Sequence, residues 1–166
     1  MPNVITRGFA NVARFNGRDT RGEFWPYCGA AVALYLVVGW ALLIPIMLPV
    51  FNASPPAAGA FQDTIGHFLL VSVLMFGVLV ALLAGAVARR LHDSGLSAFL
   101  GLVPLPFVAY SGTMFFRFSS QFGSSTPIDT RLFFSVFFSN LVYMICVVTL
   151  VVLLARRSSP TANRYG

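Results

Sequence analysis

The chain has 166 residues, of which 57% are hydrophobic and only 10% are charged, and its mean hydropathy is +0.81. A soluble domain usually carries about 25% charged residues, because its surface must stay hydrated. The composition therefore argues strongly against a soluble enzyme, and it excludes a disordered chain, which needs low hydrophobicity. The formal net charge is +6, and all eleven basic residues are arginines separated by long uncharged runs. This placement is typical of a membrane protein and not of a nucleic-acid-binding face.

The segment 1–25 is predicted to lie at the membrane surface. Ile5, Phe9 and Val12 recur at helical spacing, and Arg7 lies on the opposite side. This pattern predicts a short amphipathic interfacial helix over residues 3–15, with its apolar side towards the lipid. The alternative is a frayed terminus whose periodicity is accidental.

The start of the first long helix is marked by capping chemistry. The Asn-Gly pair at 16–17 is a turn signal, and Thr20 with Glu23 fits a capping box. Pro26 leaves two possibilities: the helix starts near Trp25, with the proline in its first turn, or it starts at Thr20 and bends. Trp25 stands where an aromatic belt is expected.

Four charge-free stretches are long enough to cross about 30 Å of hydrocarbon as helices. They predict an all-α membrane protein of one domain, with four transmembrane helices in a bundle. The predicted spans are Pro26–Leu48, Ile65–Ala88, Leu96–Phe116 and Leu132–Ala155. The segment Pro49–Gln62 has loop chemistry, and residues 156–166 form a tail.

Arginine counts predict the orientation of these spans. The N-terminal segment, the second loop and the C-terminal tail together hold nine arginines, whereas the other two loops hold two. The positive-inside rule then puts both termini in the cytoplasm.

The second loop is short, so the spans on either side form a tight antiparallel hairpin. Arg89 and Arg90 end the preceding helix, where the helix dipole favours cations. Gly95 can adopt the left-handed conformation that ends a helix, and Ser94 or Ser97 can cap the next helix.

Several residues within the spans are predicted to pack helices together. Gly77, Ala81 and Gly85 recur every four residues, which allows another backbone to approach closely. These contacts are expected within the bundle, with a homodimer face as the alternative. Asn140 is expected to hydrogen-bond to a neighbouring helix.

Two features of the spans carry further structural expectations. Pro104 and Pro106 are expected to kink the third span. Cys28 and Cys146 differ in depth by about 10 Å along their helices, which is too far for a disulfide. They are therefore expected to be free thiols.

No residue pattern supports catalysis or metal binding. His92-Asp93 resembles a pair of metal ligands, but the only other histidine is His67, at the opposite end of its span. Ser94 and Ser97 stand near this pair without a nucleophile elbow. We therefore expect no catalytic residue, no metal and no cofactor.

Two motifs give the chain a resemblance to a known family. GRDTRGEFW before the first span and RRLHDSG before the third resemble the bacterial inner-membrane family catalogued as domain of unknown function 805. The resemblance covers most of the chain and implies a four-span inner-membrane protein. The matching residues are Gly17, Arg18, Arg21, Phe24, Trp25, Arg89, Arg90, Leu91, His92, Asp93 and Gly95.

The two motifs are expected to meet at the cytoplasmic end of the bundle. They bring Arg18, Arg21, Arg89 and Arg90 together with Asp19, Glu23 and Asp93. We predict that Arg18 or Arg21 pairs with Asp93, that His92 hydrogen-bonds beside it, and that one arginine is left over for a lipid phosphate.

The resulting functional hypothesis is a non-enzymatic protein that uses this cluster to bind anionic lipid headgroups or a partner. The alternative is a small-solute or ion permease, with oligomer formation. The expected partners are membrane lipid and a second copy or another protein, and not nucleic acid.

Overall fold

A computed structural model describes residues 3–52, 60–121 and 127–158. These residues form five α-helices and no strand, with a 3-10 helix at Ala98–Leu102. The α-helices are α1 (Val4–Ala10), α2 (Arg21–Asn52), α3 (Ala60–Asp93), α4 (Pro104–Ser119) and α5 (Thr130–Leu154). Four segments are long and apolar enough to cross a membrane: Arg21–Pro49, Gln62–Asp93, Ala98–Ser119 and Thr130–Leu154. The all-α class with four membrane-spanning segments is confirmed.

Helix α1 is shorter than the predicted segment 3–15, and it packs on the start of α2. Phe9 lies edge-on to Tyr27, with ring centroids 5.2 Å apart. Gly8 faces the same ring so closely that a Cβ there would clash with it. The apolar side of α1 is therefore used partly for contact with protein. We call residues 3–20 the N-terminal arm.

The capping residues decide where α2 begins. The Thr20 backbone N–H and hydroxyl both donate to Glu23 Oε2 at 3.0 Å, and the helix starts at Arg21 and continues through Pro26. The earlier of the two predicted starts is therefore correct.

The first interhelical loop is shorter than predicted. Helix α2 continues to Asn52 and α3 begins at Ala60, so both ends of the predicted loop Pro49–Gln62 are helical. Prolines are tolerated in membrane helices because neighbouring groups satisfy the freed carbonyls. Residues 53–59 of this loop lie outside the described residues, as do residues 159–166 of the tail.

The third span is also built differently from the prediction. Pro104 is the first residue of α4, and the 3-10 helix precedes it. The prolines therefore begin a helix and do not kink one. The physical reason is that proline lacks an N–H and is favoured in the first turn, where that N–H has no intrahelical partner.

The turn between α3 and the 3-10 helix follows the predicted chemistry. Gly95 has φ +74°, and Leu96 N–H donates to the Leu91 carbonyl while Gly95 N–H donates to that of His92. This is a Schellman motif, which satisfies the last carbonyls of α3. Ser97 then caps the 3-10 helix by accepting from Phe99 N–H.

The helices pack as two antiparallel pairs, α2 with α3 and α4 with α5, and α3 also contacts α4 and α5. In the most apolar 18-residue stretch of each span, at most 11% is buried inside the protein. Most of the surface of the spans is therefore left for lipid. The buried core lies near one end of the bundle. It consists of Phe24, Tyr27, Ala86, Leu91 and Leu154.

Of the predicted small-residue packing face, only Gly85 makes a close contact within the described chain. The within-bundle contact expected for Gly77 and Ala81 is not observed, and the homodimer alternative stays a prediction. Gly77 and Ala81 are exposed, and a Cβ on Gly77 would meet nothing within 4 Å. Gly85 is buried, but a Cβ there would clash with the Val12 carbonyl oxygen. Small residues permit close approach without requiring it, and here the N-terminal arm uses only one of the three positions.

Two other packing expectations are confirmed. Asn140 Nδ2 donates to Ser111 Oγ at 2.6 Å and so links α5 to α4. Cys28 and Cys146 are free thiols.

Gly85→Ala should lower the thermal midpoint of the detergent-solubilised protein, because the new methyl group would push the N-terminal arm away. Overpacking of this kind costs about 1–3 kcal/mol. Gly77→Ala is the matched control and should melt at or slightly above the wild-type temperature, since alanine favours helix. Equal midpoints for the two variants would contradict the close contact.

Candidate functional site

The motif residues meet at one end of the bundle, where three parts of the chain converge. Helix α3 supplies Arg89, Arg90 and Asp93 from its last two turns, and the N-terminal arm supplies Arg18 and Asp19. The third part is the end of α5. We call these five residues the arginine cluster.

Arg89 fastens the N-terminal arm to α3. Its Nε donates to Asp19 Oδ2 at 2.8 Å. Its Nη1 donates to the backbone carbonyls of Asn11, at 2.9 Å, and Arg14. The side chain is buried, so all of these contacts are shielded from solvent.

Arg90 points elsewhere, since consecutive helical residues lie about 100° apart. Its Nε donates to the Leu154 carbonyl at 2.9 Å, and its Nη2 donates to the Arg156 carbonyl. Leu154 is the last residue of α5, where carbonyls lack intrahelical donors and the helix dipole favours a cation. Arg156 follows it by two residues. Arg90 is 0% exposed and therefore caps α5 from within the protein.

Asp93 compensates two arginines at once. Arg18 Nε donates to its Oδ1 at 3.1 Å, Arg90 Nη1 donates to its Oδ2, and Ser158 Oγ donates to the same oxygen. The carboxylate is 3% exposed, so these partners replace its hydration. The predicted pairing of Arg18 with Asp93 is therefore present. His92 is partly buried beside it, and its predicted hydrogen bond stays a prediction.

The remaining charged groups lie around the rim of the cluster. Arg7 Nη1 contacts Glu23 Oε1 at 2.8 Å, with 55% of the arginine side chain exposed. Arg21 Nε donates to the Arg156 carbonyl at 3.0 Å. Sequence reasoning missed the role of Arg7, since its partner becomes apparent only when Gly8 lets α1 lie against Tyr27.

Other residues of the first motif pack next to the arginine cluster or shape the chain leading into it. Phe24 is buried in the core, and the ring of Trp25 lies edge-on to it at 5.1 Å. Gly17 has φ +102°, a conformation that glycine adopts readily. It makes the turn in the N-terminal arm directly before Arg18 and Asp19.

The charge distribution is strongly asymmetric along the bundle. Among the described residues, the cluster end carries eight arginines and three carboxylates, and the opposite end carries two of each. The cluster end therefore has an excess of five positive charges. The residues of the arginine cluster pair with one another and so stabilise the fold. Exposed arginines surround them.

The described residues contain no group of three or more His, Cys, Asp or Glu side chains that could hold a metal ion. The carboxylates of the site are instead engaged by guanidinium groups. The arrangement is suited to electrostatic attachment at a membrane surface.

Fold and site together define a multi-pass helical membrane protein fastened at one end by arginine ion pairs. The chain belongs to the family described as protein of unknown function (DUF805), whose sequence model matches residues 12–166. The match includes both motifs, and α1 lies before it. Searches of curated proteins and of solved structures find no match.

Asp93→Asn should strongly destabilise the protein, because it removes the carboxylate shared by Arg18 and the fully buried Arg90. Leaving a buried charge uncompensated costs about 3–5 kcal/mol. Thermal unfolding in detergent measures the loss, with Asp63→Asn, an exposed carboxylate at the opposite end, as the control. A wild-type midpoint for Asp93→Asn would contradict the assigned pairing.

Arg18→Gln should cost less, about 1 kcal/mol, because its side chain is partly exposed and water can replace the lost contact. The charge swap gives a second comparison. Adding Arg18→Asp to Asp93→Arg should restore only part of the lost stability, because Arg90 still lacks its carboxylate. The same unfolding measurement ranks the variants. A larger loss for Arg18→Gln than for Asp93→Asn would reverse the proposed order.

Proposed function

We propose that the protein is a non-enzymatic, four-span protein of the bacterial inner membrane that binds anionic lipid headgroups at its cytoplasmic end. The observation that carries this proposal is the excess of five positive charges at the end that holds the arginine cluster. Basic residues flanking membrane spans favour the cytoplasmic side. The negative surface of that leaflet attracts each of them by about 1 kcal/mol.

Exposed arginines supply the lipid-binding surface in this proposal. Five arginines at the cluster end are exposed: Arg7, Arg14, Arg21, Arg156 and Arg157. Arg7 is paired with Glu23, so the other four are the ones without a carboxylate partner among the described residues. Arg89 and Arg90 are buried and bonded internally, so headgroup binding is assigned to the exposed set and not to this pair. The guanidinium group suits this task because its planar fork binds phosphate bidentately.

A permease is less well supported by the polar residues of α5. Ser139 and Thr149 donate to carbonyls of their own helix, and Asn140 bonds to Ser111. These contacts account for these three polar groups without a solute path. Flux measurements on proteoliposomes, with protein-free liposomes as the control, decide between the two functions.

Both termini should be cytoplasmic. In a background with Cys28→Ala and Cys146→Ala, a cysteine at exposed position Ser120 should react with an impermeant maleimide added to spheroplasts. A cysteine at exposed position Asn16 should react only after the membrane is permeabilised. The reverse labelling pattern would overturn the orientation.

The purified protein should retain phosphatidylglycerol in preference to phosphatidylcholine when both are offered in equal amounts. Native mass spectrometry of protein released from micelles measures the retained lipid. The preference should decrease as ionic strength rises, because salt screens exposed charges. Equal retention of the two lipids at low salt would contradict the proposed function.

A further inference from the structure

One backbone carbonyl near the end of α5 is shared by two arginines. The Arg156 carbonyl oxygen accepts from Arg90 Nη2 and from Arg21 Nε at 3.0 Å. Two guanidinium groups that bond to one oxygen atom lie close together and repel each other. The fold holds these two cations side by side in spite of that repulsion.

The nearby carboxylate does not balance this group of cations. Asp93 pairs with Arg90 and also with Arg18. Within the described part of the chain, Arg21 forms no ion pair and is bound only through the neutral carbonyl. Arg18, Arg90 and Arg21 are therefore linked through Asp93 and the Arg156 carbonyl, with one carboxylate among them. The exposed side chains of Arg156 and Arg157 add further positive charge.

We infer that Arg21, together with Arg156 and Arg157, forms a binding site for a phosphate group. This inference rests on the proposed function and assigns its headgroup contact to particular residues. The bond from Nε to the Arg156 carbonyl fixes the plane of the Arg21 guanidinium. Its two terminal nitrogens lie on an exposed side chain and can donate to two phosphate oxygens, the bidentate geometry that arginine favours.

The position of Trp25 puts this site at headgroup depth. It lies four residues after Arg21, on the same face of α2, and is 38% exposed. Tryptophan is enriched at the membrane–water interface. The phosphate of an anionic phospholipid is at this level, and free phosphate in the cytoplasm has the same binding chemistry.

Trp25 also provides the readout for an experiment. Because the chain has two tryptophans, Trp40→Phe leaves Trp25 as the only indole. The full chain with this substitution is titrated in uncharged detergent with short-chain phosphatidylglycerol, short-chain phosphatidylcholine or inorganic phosphate. Tryptophan fluorescence is recorded at each concentration.

Phosphatidylglycerol should give a saturable change, and Arg21→Gln should weaken the apparent affinity about tenfold or more, the loss expected for charge-assisted hydrogen bonds. Arg21→Lys should recover only part of the affinity, because an ammonium cannot bind bidentately. Arg117→Gln, an exposed arginine at the other end, should bind like the parent. Unchanged helical content by circular dichroism verifies that each variant is folded.

The ligands and variants separate the outcomes. A response to phosphatidylglycerol alone identifies a lipid site, whereas an equally Arg21-dependent response to inorganic phosphate identifies a site for the free ion as well. Binding of phosphatidylglycerol that Arg21→Gln and Arg157→Gln leave unchanged would overturn this site, while the proposed function would stand. No preference for phosphatidylglycerol over phosphatidylcholine in the parent chain would overturn both.

Discussion

The buried charge of Arg90 constrains the structure more than any other single group. Removing a guanidinium from water costs several kcal/mol unless a counter-ion and hydrogen bonds replace the hydration. Arg90 obtains these from Asp93 one turn later and from the carbonyls of Leu154, which ends α5, and of Arg156 just after it. The end of α5 must therefore lie against the end of α3, which fixes how the two helix pairs meet.

This constraint matters because the spans themselves specify little. Lipid is as apolar as leucine, so burying apolar side chains between membrane helices gives no hydrophobic gain, and few residues of the spans are buried. The polar contacts at one end supply the missing specificity. Arg89 holds the N-terminal arm, Arg90 holds α5, and the core of Phe24, Tyr27 and Leu91 lies directly beneath them.

Sequence alone could predict the features that depend on local chemistry. Charge-free length predicted the spans, the Gly95 turn followed from its position after the last helical residues, and the two motifs suggested that Arg18 or Arg21 meets Asp93. In the structure, Arg18 is the residue that pairs with Asp93. Features that depend on which backbone approaches which side chain were not predictable. Spacing alone could not show that the arm, and not a helix, lies against Gly85.

All basic residues of the chain are arginines, and at the cluster end both the buried and the exposed set use properties that lysine lacks. Arg89 and Arg90 each bond to three separate acceptors in different directions. A planar group with five donors can do this, and an ammonium, as a compact and strongly hydrated charge, is harder to bury. The same planarity lets an exposed arginine bind phosphate bidentately at the membrane surface. One residue type thus serves both the fastening of the bundle and the surface proposed to contact lipid, and its location in the fold decides between these roles.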